Sequence, residues 1–123
     1  MATWESGRES TLLDAIIDGS KTIEGRLNKG KFAQYKVGDE IRLRRDHRNK
    51  DGVLQDGEHG AALVQVVAIR NYPTFLAMVT AEGYKNVIPS ASSPSHAADE
   101  YNKYYSAEDQ SQYGVLAIEV TLA

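Results

Sequence analysis

The sequence predicts an α+β domain, a small antiparallel or mixed β-barrel with about three flanking helices. Three observations predict it. Residues 40–44 and 115–122 alternate side chains with the period of a strand, and residues 61–69 form a nearly continuous apolar run of strand length. Two other stretches, around Leu12 to Ile17 and Phe75 to Val79, carry apolar residues at helical intervals. No strand-helix-strand rhythm recurs, which separates this chain from the parallel α/β folds. At 123 residues it suits one domain, residues 1–123, with one real core.

The elements follow in order. Ser6-Gly7-Arg8-Glu9 has the spacing of a capping box, and Leu12, Leu13, Ala15, Ile16 and Ile17 follow it, so a helix is expected over residues 7–18, stopped by Gly19. Thr22 and Ile23 supply the β-branched residues of a short strand, in which Thr22, Glu24 and Arg26 share a face. Lys21, at the helix-to-strand corner, has the reach to join them. After the turn Val37-Gly38-Asp39 a strand starts at Glu40, with Ile41 and Leu43 inward. The dipeptides Asp51-Gly52 and Asp56-Gly57 indicate a long hairpin with an exposed tip. Its return arm, residues 61–69, reads as a central strand covered on both faces.

Pro73 is placed to open a helix that Gly83 ends, with Glu82 on its last turn, where a carboxylate calls for solvent or a cationic partner. Residues 86–89 read as an extended connector. Ser93-Pro94 then caps a third helix with Ala97, Tyr101 and Tyr105 on one face and Tyr104 close by. Ser106 begins a cap-like turn through Asp109, and residues 115–122 close the domain as a strand.

Composition narrows the function. Net charge is −3 with a pI near 5.6, whereas proteins that hold long nucleic acids carry a basic excess, so RNA binding is expected to be weak and a small ligand is favoured. There are no cysteines, no apolar run long enough to span a bilayer, and no basic-then-apolar leader, so a cytoplasmic protein without membrane partners is expected. His47, His59 and His96 lack metal-ligand spacing, and no nucleophile elbow or glycine-rich phosphate loop occurs; neither metal nor cofactor is expected. Arg42, Arg44, Arg45, Arg48 and Lys50 read as a solvated hairpin arm diluted by acids, or as a phosphate-contacting ridge. By spacing alone, Lys21, Glu24 and Arg26 suit a salt-bridged surface and a catalytic cluster alike.

The stretch Gly19-Ser20-Lys21-Thr22-Ile23-Glu24-Gly25-Arg26 resembles the G-x-K-x-x-E-x-R signature of the ASCH domain family, a PUA-like β-barrel. The resemblance continues in order through Val37-Gly38-Asp39, the helix at residues 75–83, Asn86-Val87-Ile88-Pro89, Tyr104-Tyr105-Ser106 and residues 113–118. It implies RNA binding, ribonuclease activity, or, in a small bacterial subgroup, hydrolysis of the amide of N4-acetylcytidine. In that subgroup a lysine, a threonine and a glutamate form the catalytic set. The lysine falls on Lys21 and the glutamate on Glu82, while Glu24 stands at the threonine position. The expected activity is metal-independent removal of the acyl group from a small nucleoside, with Lys21, Glu24 and Glu82 catalytic: Glu24 as base, Lys21 holding the oxyanion or itself the base, and Glu82 orienting Lys21. Thr22, Arg26 and Tyr105 are expected to bind substrate.

Overall fold

The computed structural model describes residues 2–48, 51 and 54–123. Five strands, β1 (Thr3–Glu9), β2 (Ile23–Leu27), β3 (Glu40–Arg48), β4 (Leu54–Tyr72) and β5 (Val115–Leu122), form one mixed sheet in the order β1-β3-β4-β5-β2. β1 runs parallel to β3, and the other pairs are antiparallel. Register shifts between Leu43 and Arg45, between Arg45 and His47, and between Val66 and Ala68 put bulges into the long central hairpin. Bulges bend and twist a strand, and here the sheet curls into a half-barrel whose edge strands β1 and β2 approach each other.

Helix α1 (Ser10–Asp18) plugs the concave side. Its Leu13 and Ile16 are buried with Tyr35, Ile41, Leu43, Val64, Val66, Leu116, Ile118 and Val120. On the other face of β2 and β5 lies a second core, in which Phe75, Met78 and Val79 of α2 (Phe75–Glu82) and Ala97 and Ala98 of α4 (Pro94–Asn102) bury Ile23, Leu27, Val115 and Ala117. Full burial of each large apolar side chain contributes about 1.5–3 kcal/mol, so the two cores bind the curled sheet to its helices. The short helices α3 (Tyr84–Val87) and α5 (Ala107–Tyr113) complete the layer, with a 3-10 turn at Gly30–Gln34.

The α+β half-barrel agrees with the sequence reading, and several details correct it. Among the described residues five short helices flank the sheet, where about three are expected. Ser6 to Glu9 belong to β1, not to a capping box, because their backbone pairs with residues 43–46 of β3 and the helix starts only at Ser10. Asp56-Gly57 runs through β4 as extended strand and makes no turn. The hairpin is otherwise as long as expected, with pairing out to Arg48 and Leu54.

The strand covered on both faces is β5, whose Val115 to Ile118 are all buried, whereas β4 leaves Leu63 and Val67 more than a third exposed. Pro73 precedes α2 rather than opening it; Thr74 is the N-cap, accepting from Ala77 N at 3.0 Å. Asn86 and Val87, expected to begin an extended connector over residues 86–89, instead end the helix Tyr84–Val87. Ser93 and Ser106 cap α4 and α5 as the sequence indicates, and α5 runs on to Tyr113. Among the described residues no helix is long and apolar enough to cross a membrane.

Candidate active site

The seam between the two sheet edges is closed by charge. No ladder joins β1 to β2; instead Arg8 of β1 reaches Glu24 of β2, with Nε 2.6 Å from Oε2. Period-two alternation turns Trp4, Ser6 and Arg8 toward the concave side, as it does Glu24 and Arg26. The Arg8 contact is a charge pair rather than an aligned hydrogen bond, since no acceptor lies along its Nε–H. Arg8 Nη1 donates to Ser6 Oγ at 2.6 Å and to Gly7 O at 2.7 Å, which fixes the guanidinium.

Lys21 enters from the corner between α1 and β2. Its ammonium donates to Ile23 O at 2.8 Å and to Val87 O, and lies 3.8 Å from Glu24 Oε1. Arg26 Nη2 is 3.9 Å from Glu24 Oε2, and its guanidinium stacks 4.6 Å from the centre of the Phe32 ring. Three cations therefore surround one carboxylate, and Arg8, Lys21 and Glu24 are all nearly solvent-free. Glu24 Oε1 and Arg26 Nε are buried without a hydrogen-bond partner, an arrangement that costs stability unless a ligand completes it.

This imbalance sets the protonation states. Burial alone would raise the Glu24 carboxyl, but Arg8, Lys21 and Arg26 together hold it below the ordinary carboxylate range. Burial lowers Lys21 to about 8; the Glu24 charge opposes the drop, and Arg8 and Arg26 add to it. Arg8 is also lowered by burial, yet a guanidinium starts so high that it stays charged. At neutral pH the cluster offers a fixed carboxylate, two fixed guanidiniums and one amine able to exchange a proton.

Above these groups opens a cleft of about 440 Å³. One wall is aromatic: Tyr101, at the end of α4, stacks on Phe75 with centroids 4.3 Å apart and planes 3° from parallel, and Tyr104 and Tyr105 follow it. Gly25 lets Tyr101 come this close, because a Cβ there would sit 2.8 Å from Met78 Cε and from the Tyr101 hydroxyl. Ser90 and His96 also line it. The size and the mix of aromatic wall and few polar groups suit a small planar ligand.

Of the residues expected at the site, Lys21, Glu24, Arg26 and Tyr105 border this cleft. Thr22 does not: sheet pairing starts at Ile23, and the Thr22 backbone is engaged by Asn86 O and Val120 N. Glu82 is not brought to Lys21. Its carboxylate takes two hydrogen bonds from Arg70 at 2.6 and 2.7 Å and one from Tyr72 at 2.5 Å. Arg70 also bridges to Glu119, which opposes Ile23 in the ladder, whereas Glu24 opposes Ile118, so the two carboxylates belong to opposite faces of the sheet. The cationic partner that Glu82 needs at its helix end is thus Arg70.

Arg8 was not singled out in the sequence, because a helix reading of residues 7–18 hid it; the alternation Trp4, Ser6, Arg8 is the signal that finds it. The arginine ridge on β3 is partly engaged within the fold, with Arg44 on Asp46 at 2.6 Å and Arg45 on Asp14 at 2.8 Å. The side chains of His47, Arg48 and His59, and all of Lys50, lie outside the described residues. Among the described residues no group of three or more metal-ligating side chains converges.

Comparison with known proteins agrees with this architecture. The family model for the ASCH domain matches residues 10–123. The chain is similar to the crystal structure of hypothetical protein PH0355, with 34% identity, a TM-score of 0.83, and 98% of this chain and 99% of that one covered. It is similar to the solution structure of protein PF0455 from Pyrococcus furiosus at 35% identity and a TM-score of 0.76, over 98% of this chain and 96% of that one. Protein EF3133 from Enterococcus faecalis V583, at 11% identity and a TM-score of 0.61 over 100% of this chain and 76% of that one, shares the fold. No curated protein matches. With its curled mixed sheet of PUA-like architecture and a family match that begins at α1 and runs to the last residue, the chain belongs to the ASCH domain family.

Proposed function

We propose that the protein is an amidohydrolase that removes the acyl group from an N4-acylated cytosine or cytidine. The observation that carries this reading is Lys21: an amine buried at the floor of a nucleoside-sized cleft, with its ammonium lowered to about 8. A general base works best near the operating pH, and of the two bases expected, Glu24 and Lys21, this favours Lys21. Glu24, held low and paired with Arg8, is a poor base. Neutral Lys21 can keep two N–H donors on Ile23 O and Val87 O, which leaves its lone pair to accept a proton.

In this mechanism Lys21 takes a proton from water, and the hydroxide adds to the acyl carbon. The ammonium so formed stabilises the tetrahedral oxyanion and then returns the proton to N4 as the C–N bond breaks, giving a carboxylic acid and the free cytosine amine. Glu24 positions Lys21 and sets its proton affinity. Arg26, which lines the cleft, donates to a substrate carbonyl, and Tyr101 and Tyr105 supply the aromatic wall against which the base packs.

The test is turnover of N4-acetylcytidine by the purified protein. Lys21→Ala is expected to lower it by at least about 10²-fold, with Lys21→Met as the variant that keeps the buried stem. Near-normal turnover in both, or none in the wild type on any N4-acylcytidine, would replace the hydrolase with a binding module.

A further inference from the structure

Beside the cleft runs a second groove of about 360 Å³, which shares Arg26, Tyr104 and Tyr105 with it and continues between the 3-10 turn and α5. Its other charged lining residues are Lys29, Lys31 and Asp109. Three cations against one carboxylate leave the groove positive in a chain whose net charge is −3. The cations are held in place. Lys29 Nζ lies 4.8 Å from the centre of the Tyr113 ring, and Lys31 Nζ donates to Glu5 O at 2.7 Å while lying 5.4 Å from the Phe32 ring. Arg26 sits between the two cavities, with Nε buried and without a partner.

We propose that this groove binds the phosphate of the substrate, so that the ligand of the site is a phosphorylated cytidine whose base occupies the cleft. The proposal rests on the base-binding role given to the cleft above. A phosphate contributes charge-assisted acceptors that two ammoniums and a guanidinium complement, and a neutral nucleoside contributes none. The electrostatics at Lys31 agree with this placement: burial lowers its ammonium, and the neighbouring charges of Arg8, Arg26 and Arg44 lower it further against the opposing charge of Glu5, a net positive field that an anion would relieve. The ring of Tyr104, two-thirds exposed between the two cavities, is placed for the ribose or base to pass over it.

Two measurements test the proposal. The first compares kcat/KM for N4-acetylcytidine with that for its 5'-monophosphate at low salt. The phosphate form should be preferred by about tenfold or more, and in Lys29→Gln and Lys31→Gln the ratio should fall toward 1, with thermal melting to verify folding. Equal values in the wild type, or a preference that survives both substitutions, would overturn it.

The second is calorimetric binding of cytidine and cytidine 5'-monophosphate, which needs no turnover. If neither acyl substrate is hydrolysed but the monophosphate still binds more tightly than cytidine and loses this in Lys29→Gln, the hydrolase reading fails and the phosphate groove stands. Equal affinities overturn the groove. A short single-stranded RNA separates the sources of phosphate. A dependence of log affinity on log salt near −0.7, the value for about one phosphate, assigns a mononucleotide, and a several-fold steeper one assigns RNA.

Discussion

Glu24 and Glu82 are both largely buried glutamates, each held by an arginine, on opposite faces of one sheet, and they differ in what is left over once their partners are counted. Glu82 is matched: Arg70 meets it with two aligned hydrogen bonds, spends its remaining reach on Glu119, and Tyr72 adds a third donor. Glu24 is outnumbered by Arg8, Lys21 and Arg26, its Oε1 has no donor, and its contacts lie at 2.6, 3.8 and 3.9 Å. A satisfied network rigidifies, and here it joins the end of α2 to β4 and β5. An unsatisfied one at a cleft floor is the kind of site at which ligands complete the pairing and pKa values shift.

The largest difference is expected in stability. Glu24→Gln removes the carboxylate that contacts two nearly solvent-free cations, and breaking a buried pair in this way should cost about 3–5 kcal/mol in urea unfolding at pH 7. A loss below about 1 kcal/mol would mean that water already compensates the cluster, and the contrast between the two glutamates would collapse. Its acid side has a definite sign. Because Glu24 is held below its ordinary value, its contribution is present above the unfolded carboxyl pKa and is lost as pH falls through the lower folded one.

The pH dependence of turnover sharpens the comparison by moving one group in two directions. With Lys21 lowered to about 8, kcat should rise with pH through that value, as neutral amine forms. Removing the Glu24 charge in Glu24→Gln takes away the one influence that raises Lys21, so the inflection should move to lower pH. Removing a cation in Arg26→Met should move it to higher pH, even though the rate itself falls. An inflection that stays in place in both variants would show that a group other than Lys21 titrates.

Why the sequence revealed one half of this comparison and misassigned the other is a matter of range. Lys21, Glu24 and Arg26 lie within six positions of one another, so alternation along β2 and one corner residue suffice to gather them. Arg8 joins them only because the sheet curls until its edges meet, and that curl depends on bulges in the β3-β4-β5 pairing that no local pattern reports. Glu82 is expected from the sequence to need solvent or a cationic partner, and that the partner is Arg70 rather than Lys21 depends on which face of the sheet α2 covers. The β5 strand is similar: Val115 to Ile118 read as ordinary alternation, and only the second core under α2 and α4 shows both faces covered.

The smallest effect is expected at Glu82, and it is the one that would overturn the comparison most directly. In Glu82→Gln the amide oxygen can still accept from Arg70 or Tyr72, and Arg70 keeps Glu119 at 2.7 Å. Arg70 is 39% exposed, so solvent screens the lost charge and the cost should be no more than about 1 kcal/mol in urea unfolding. Turnover should stay within about twofold of the wild type, since the network shares no partner with Lys21. The pairing of Glu82 also accounts for its lowered carboxyl pKa, held down by Arg70 first and helped by Tyr72, which makes it a permanently charged group at neutral pH and no proton donor. If Glu82→Gln instead lost activity to the extent of Lys21→Ala while unfolding at the wild-type urea concentration, Glu82 would belong to the catalytic set. The sheet would then have to open or shift for its two faces to meet.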